Sequence, residues 1–228
     1  MRSQKYPLLL ALMVAVVFFL GQTQVSQAQL PGMPKLYGEF KIPEVGSYVT
    51  YKVFYPKNAS ERMVKMSILG KEKSPKGEDL YWFEQEETDP KTGEVNIVKM
   101  LISGNPQDIK TMHRMIMKSG KEPAQELPED VMQMINQVPT TKDADQPKIK
   151  NLGTEKVKMK DQTFDCVHER YTYKDKSTAD AWRNTKVPIF GMVKSTNPDA
   201  TFELVGYGTN AVSAIKEQPK VLELPEQK

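Results

Sequence analysis

The chain has 228 residues, a formal net charge of +3, one cysteine and two histidines. Lysines and glutamates alternate along it, which excludes the clustered basic face that nucleic-acid binding requires. A lone cysteine cannot form an intramolecular disulfide, and two histidines provide no Cys/His cluster for zinc or haem. We therefore expect no metal or other cofactor and no nucleic-acid partner.

Residues 1–28 predict a secretory signal peptide. Arg2 and Lys5 give a positive start, residues 8–20 are continuously apolar, and the sequence SQA at 26–28 offers small residues for cleavage. The apolar run is shorter than the ~20 residues that a transmembrane helix needs. We expect a periplasmic protein that begins at Gln29 and has no stable membrane span after cleavage.

Removing 28 of the 228 residues leaves 200, enough for one domain with its own core. These carry 30 basic and 29 acidic residues, a net charge of +1, because the signal holds two of the 32 basic residues and no acid. Prolines and glycines predict an extended lead-in at 29–45, followed by a domain at 46–215. The charged, proline-containing segment 216–228 predicts a flexible tail.

Alternating apolar and polar residues predict five strands in the first half of the domain. Short turns rich in Pro, Gly, Asn and Asp separate them, which indicates antiparallel neighbours in a meander. The predicted strands are 47–55, 62–69, 79–87, 94–103 and 109–118.

A single helix is predicted at 128–137. Pro128 suits its first turn, acidic residues follow, and Val131, Met134 and Ile135 form an apolar stripe. The polar segment 139–147 follows it. A hairpin of strands at 149–159 and 163–173 comes next, and shorter strands are predicted at 179–183, 190–195 and 201–207.

Cys166 lies near Phe164 and Val167 in the hairpin, which predicts a buried strand residue rather than a reactive thiol. His168 falls on the same strand face, but side chains two residues apart in a strand lie about 7 Å from each other. That separation is too long for the hydrogen bond by which a base activates a nucleophile. No Gly-X-Ser-X-Gly elbow is present either. We expect a protein that is not an enzyme.

Five short sequences in the second half resemble a pattern in small exported bacterial proteins: GTE at 153–155, TFDC at 163–166, DAW at 180–182, VPIFGMVK at 187–194 and FELVGYG at 202–208. These proteins form an uncharacterised family that is similar to the LolA/LolB-like superfamily of lipoprotein carriers. The resemblance implies a mainly β fold, a curved antiparallel sheet that forms a half-barrel. It also implies a short helical lid and a hydrophobic cavity between the lid and the sheet.

The mature chain is rich in methionine, since 11 of the 13 methionines lie beyond the signal. Several cluster around the predicted helix and the strand before it, where a curved sheet would be covered. Flexible thioethers suit a surface that accepts varied apolar ligands, and they suit an irregular core equally well. The candidate ligand-binding residues are Trp82, Met115, Met117, Met134, Trp182 and Phe190.

Two hypotheses follow. The first is a periplasmic, non-enzymatic protein that binds a lipid or another apolar ligand in a half-barrel cavity. The second is an envelope structural or interaction protein whose barrel is fully packed and whose exposed edge strands engage a protein partner.

Overall fold

The computed structural model describes residues 44–106, 108–137 and 147–223, without the side chains of residues 105, 108 and 110. The predicted signal peptide, most of the lead-in, most of the segment at 139–147 and the last residues of the tail lie outside these ranges.

The described chain is mainly β, as the sequence predicts. Each predicted strand coincides with an observed one, and two strands of two residues each are additional. The elements are β1 (Tyr48–Tyr55), β2 (Ser60–Lys73), β3 (Asp79–Thr88), β4 (Val95–Asn105), β5 (Asp108–Ser119), β6 (Gln125–Glu126), α1 (Glu129–Gln137), β7 (Lys148–Met159), β8 (Gln162–Thr172), β9 (Thr178–Arg183), β10 (Met192–Thr196), β11 (Thr201–Gly208) and β12 (Lys220–Val221).

These strands form one curved, open sheet in the order β12-β6-β5-β4-β3-β2-β1-β11-β10-β9-β8-β7. All pairs are antiparallel except β12 with β6. The first half of the chain is the predicted meander. The second half is a meander too, and it joins the first through β11 and β1. The fold class predicted from the sequence is confirmed.

The main core lies on one face of this sheet, which we call the concave face. Tyr51 and Phe202 are buried there with their rings edge to face at a centroid distance of 6.3 Å. The Tyr51 hydroxyl donates a hydrogen bond of 2.9 Å to the carbonyl oxygen of Met192. A buried polar group of this kind needs a partner, and Tyr51 finds it on a strand two places away.

In the second half of the sheet, the end of the β7–β8 hairpin folds back toward β11. Beyond the end of β9 the β7–β8 hairpin continues and reaches β11, although β9 and β10 lie between β8 and β11 in the sheet. Gln162 Nε2 donates to the Tyr207 hydroxyl at 3.3 Å, and the Phe164 and Tyr207 rings lie 6.2 Å apart. Extra residues in β7, β10 and β11 shift the register in this half, and such bulges add local twist.

Helix α1 is fixed to the edge of β5 by a side chain that imitates a neighbouring strand. Asn136 Nδ2 donates to the carbonyl oxygen of Met112 at 2.7 Å, and the Met112 N–H donates to Asn136 Oδ1 at 3.0 Å. Met132 is buried against the core from the same helix. The predicted helical cover is therefore present beside β5.

The C-terminal segment 209–223 crosses the opposite, convex face of β3, β4 and β5, and we call it the strap. Ile215 is buried there in a second cluster with Ile97, Ile116 and Ala124. Beyond it, the Lys220 N–H donates to the Ala124 carbonyl oxygen at 3.0 Å. Residues 216–223 of the predicted flexible tail are thus tied to the sheet. Their charged sequence gives no sign of this because the partners are distant in the chain.

Glu84 anchors the strap, and its removal tests that attachment. Its side chain is 3% exposed and accepts hydrogen bonds from Ser213 Oγ at 2.5 Å and from the Ala214 N–H at 2.8 Å. Glu84→Ala leaves both donors without this acceptor, which costs about 1–3 kcal/mol. We expect faster hydrogen exchange at the Lys220 and Leu222 amides.

Glu86→Ala is the matched control, since Glu86 lies two residues along β3 on the same face and is less buried. Unchanged exchange at both amides in Glu84→Ala would show that the strap does not depend on this anchor.

Candidate functional site

The concave face of β4 and β5 carries a surface rich in methionine. Cross-strand register places Met100 opposite Met115 and Val98 opposite Met117, so these side chains share one face. Met132 of α1 packs into the same core. Met100 is buried, whereas Met115 and Met117 are half-buried. We call Met100, Met112, Met115, Met117 and Met132 the methionine surface.

Three of the six predicted site residues belong to this side of the sheet. Met115 and Met117 lie on the methionine surface, and Phe190 is buried in the same core from the connection between β9 and β10. Met134 does not join them, because its side chain is 57% exposed. Residues two apart on an α-helix are separated by about 200°, so burial of Met132 turns Met134 outward.

Trp82 lies on the convex face instead, because Tyr81 and Phe83 on either side of it occupy the concave core. It packs against the cluster beneath the strap. Its indole N–H donates to Glu72 Oε1 at 2.6 Å, and the charged groups of Lys99 and Arg114 lie 4.9 and 5.1 Å from its ring centroid. Trp82 therefore holds surface charges together rather than lining the concave face.

Trp182 is half-buried and packs against the main core, but it lies on the side of β9 opposite to Ala181. Register places it beside His168 and Lys194, whereas the neighbouring Ala181 lies opposite Ser195, which in turn lies opposite the core residue Phe202. Trp82 packs against the cluster beneath the strap and Trp182 against the main core, so the structure does not bring the two indoles together. The prediction that both indoles border one apolar site fails for Trp82, because sequence periodicity gives the alternation of sides but not which side is concave.

A polar cluster surrounds His168, and sequence reasoning did not assemble it. His168 is 7% exposed, and its ring stacks on Trp182 at a centroid distance of 4.3 Å. Its Nδ1 lies 2.8 Å from Glu155 Oε1 and its Nε2 lies 3.1 Å from Asp180 Oδ1. Carboxylates only accept hydrogen bonds, so a ring nitrogen that carries a proton donates to the carboxylate beside it.

Neighbouring donors keep both carboxylates of this cluster ionised. The hydrogen bond from Trp182, followed by that from His168, lowers the pKa of Glu155. Burial acts to raise the pKa of Asp180, but hydrogen bonds from Arg170 and His168 outweigh it, and the pKa is lowered. Carboxylates with a lowered pKa stabilise the fold above their unfolded pKa, and this contribution is lost as the pH falls.

The cluster joins three strands, because His168 of β8 contacts Glu155 of β7 and Asp180 of β9. Within the described ranges, no group of three or more His, Cys, Asp or Glu side chains is arranged to hold a metal ion. The signal that could have found the cluster was strand register, since each member comes from a different strand.

Cys166 is buried, as the sequence predicts, with no exposed surface. Burial first, and then the charges of Asp165 and Glu155, raise the pKa of its thiol to about 11. Because the thiolate is the reactive form, we expect native protein at pH 8 to react with a thiol reagent about 100-fold more slowly than unfolded protein. Equal rates in the two states would contradict a buried, structural role.

No family model and no curated protein matches the chain. Among solved structures, it is similar to a protein of Bacteroides fragilis NCTC 9343 named as an exported protein with a YmcC-like fold, at 12% identity and a TM-score of 0.41, over 75% of this chain and 99% of that one. It is also similar to a protein of Parabacteroides distasonis ATCC 8503 named as a lipoprotein, at 13% identity and a TM-score of 0.37, over 73% and 97%. Neither similarity establishes a function for this chain.

None of the helices in the described ranges has the length and apolar character needed to cross a membrane. The similarity to LolA/LolB-like carriers stays a prediction from the sequence.

Proposed function

We propose that this chain is an exported, non-enzymatic protein that binds a lipid or another apolar ligand against the methionine surface. The observation that carries the proposal is the partial exposure of Met115 and Met117 on a face that otherwise forms the core. The predicted signal peptide supports a periplasmic location, and the resemblance to lipoprotein carriers supports an apolar ligand.

The neighbourhood of these two methionines is apolar on several sides. Val98 lies beside Met117 on β4, and α1 contributes the half-buried residues Val131 and Ile135. Unbranched thioethers adjust to ligands of varied shape at low cost, which suits acyl chains better than rigid β-branched side chains would. The surface can therefore take up an alkyl chain by moving side chains rather than strands.

Burial of an acyl chain can contribute enough free energy to offset the cost of association. Burial of one methylene group contributes about 0.8 kcal/mol, so a dozen contribute about 10 kcal/mol. Association costs an estimated 4–15 kcal/mol in lost freedom and ordering. A long acyl chain therefore reaches useful affinity only if most of its length is buried, and short-chain analogues should bind much more weakly.

Binding of oleate to the mature protein, measured by calorimetry, tests the proposal. We expect a saturable site that Met117→Glu weakens by about tenfold or more, since the substitution places a charge in an apolar lining. Met134→Glu on the outer face of α1 is the matched control and should bind as the parent does. Met117→Gln provides a milder change for the case in which the glutamate disturbs folding.

Urea unfolding of each variant shows whether the fold is retained. Absence of saturable oleate binding in the parent, or equal affinity in Met117→Glu and the parent, would overturn the proposed site. Tryptophan emission is a poor readout here because Trp82 lies on the convex side and the Trp182 ring stacks on His168.

A further inference from the structure

Strand β7 forms one end of the sheet and pairs with β8 alone among the strands that the structure describes. It is 12 residues long, and nearly every side chain along it is exposed. In antiparallel pairing, alternate residues direct their backbone N–H and C=O groups to opposite edges. About half of the residues of β7 therefore present these groups on the outer edge, available to a further strand.

The side chains of this edge repeat one pattern. Residues 148–150 read KIK and residues 156–158 read KVK, so an apolar residue stands between two lysines at each end of the strand. Ile149 is 47% exposed, whereas Val157 is half-buried and packs against the main core. The acid within β7, Glu155, is engaged by His168 and Trp182.

The bulge at Leu152 changes the faces that carry the lysines. In the first half of β7, Lys148 and Lys150 share a face with Arg170 of β8. After the register shift, Lys156 shares a face with Asp165. An added strand would thus meet positive charge on one face at one end and on the opposite face at the other end. The two ends lie roughly 26 Å apart at about 3.3 Å per residue.

We propose that β7 is a docking edge for an extended protein segment that carries acid-apolar-acid triplets. The segment adds an antiparallel strand to β7, with its acids opposite the lysines and its apolar residues beside Ile149 and Val157. The exposed edge supplies main-chain hydrogen bonds, and the lysine pattern supplies selectivity by charge. This inference is independent of the proposed ligand site, because β7 and β5 lie near opposite ends of the sheet.

Charge complementarity also argues against a second copy of the chain as the occupant. Two β7 strands paired edge to edge would bring lysine-rich ends near each other without the opposite charge that an acidic segment supplies. An acidic segment therefore gives the same edge a preferred partner.

The test uses a synthetic, end-capped peptide as long as β7, with one acid-apolar-acid triplet at each end and a neutral spacer between them. Binding to the mature protein is followed by fluorescence anisotropy at low ionic strength. Hydrogen exchange locates the contact. We expect protection of β7 amides, and we expect no binding by the same peptide with alternate backbone nitrogens methylated.

Two charge-reversal variants distinguish binding through the β7 lysines from attraction by the overall charge of the protein. Lys148→Glu/Lys150→Glu/Lys158→Glu should weaken binding by about tenfold, and a peptide with lysines in place of its acids should bind this variant instead. The matched control reverses three exposed lysines in turns, namely Lys76→Glu/Lys91→Glu/Lys121→Glu. This control has the same net charge and should stay within about twofold of the parent.

Four results would overturn the proposal. They are no measurable binding by the parent, an equal loss of affinity in both triple variants, bound peptide without protection of β7, and a concentration-dependent dimer in which β7 itself becomes protected. The last result would identify a second copy of the chain as the occupant.

Lys156 is left unchanged in the variants because it forms an ion pair of 2.8 Å with Asp165.

Discussion

Pairing of β1 with β11 is the contact on which the rest of the sheet depends. Each half of the chain forms its own antiparallel meander, and this pairing joins the two into one sheet. Tyr51 stands at the junction, packed against Phe202 and hydrogen-bonded to the carbonyl oxygen of Met192. Because the side chains on this face are already buried by one another, the middle of the concave face is core. Accessible apolar surface lies nearer the β5 end.

The centre and the two ends of this sheet differ in what they expose. The centre stabilises the fold, the end near β5 presents partly exposed methionines beside α1, and the end at β7 presents unpaired backbone. The polar cluster around His168 strengthens the β7 end from the convex side, since Glu155 of β7 and Asp180 of β9 both contact it. The edge strand is therefore held in place by side chains as well as by its ladder with β8.

Alternation and turn residues in the sequence predict where the strands and the helix lie. They do not predict which side of each element faces the core. Alternation in β1 to β5 and the turn residues between them identify the strands, because half-buried strands must alternate. The same alternation does not say which side is concave, so it predicts Trp82 beside the methionines although Trp82 lies on the other side. In α1 the sequence predicts an apolar stripe of Val131, Met134 and Ile135. Val131 and Ile135 do pack against the core, but the buried methionine is Met132 and not Met134. The strap and the His168 cluster depend on contacts between distant residues, which one sequence does not reveal.

We propose that apolar ligands contact the methionine surface at Met115 and Met117. Carbon-13 labelling of methionine methyl groups, with two-dimensional NMR during an oleate titration, measures this directly. We expect saturable shifts of the Met115 and Met117 resonances, whereas Met66 and Met192, which have no exposed surface, stay unchanged. Shifts confined to Met134, or no shift at any methionine under saturating oleate, would contradict it.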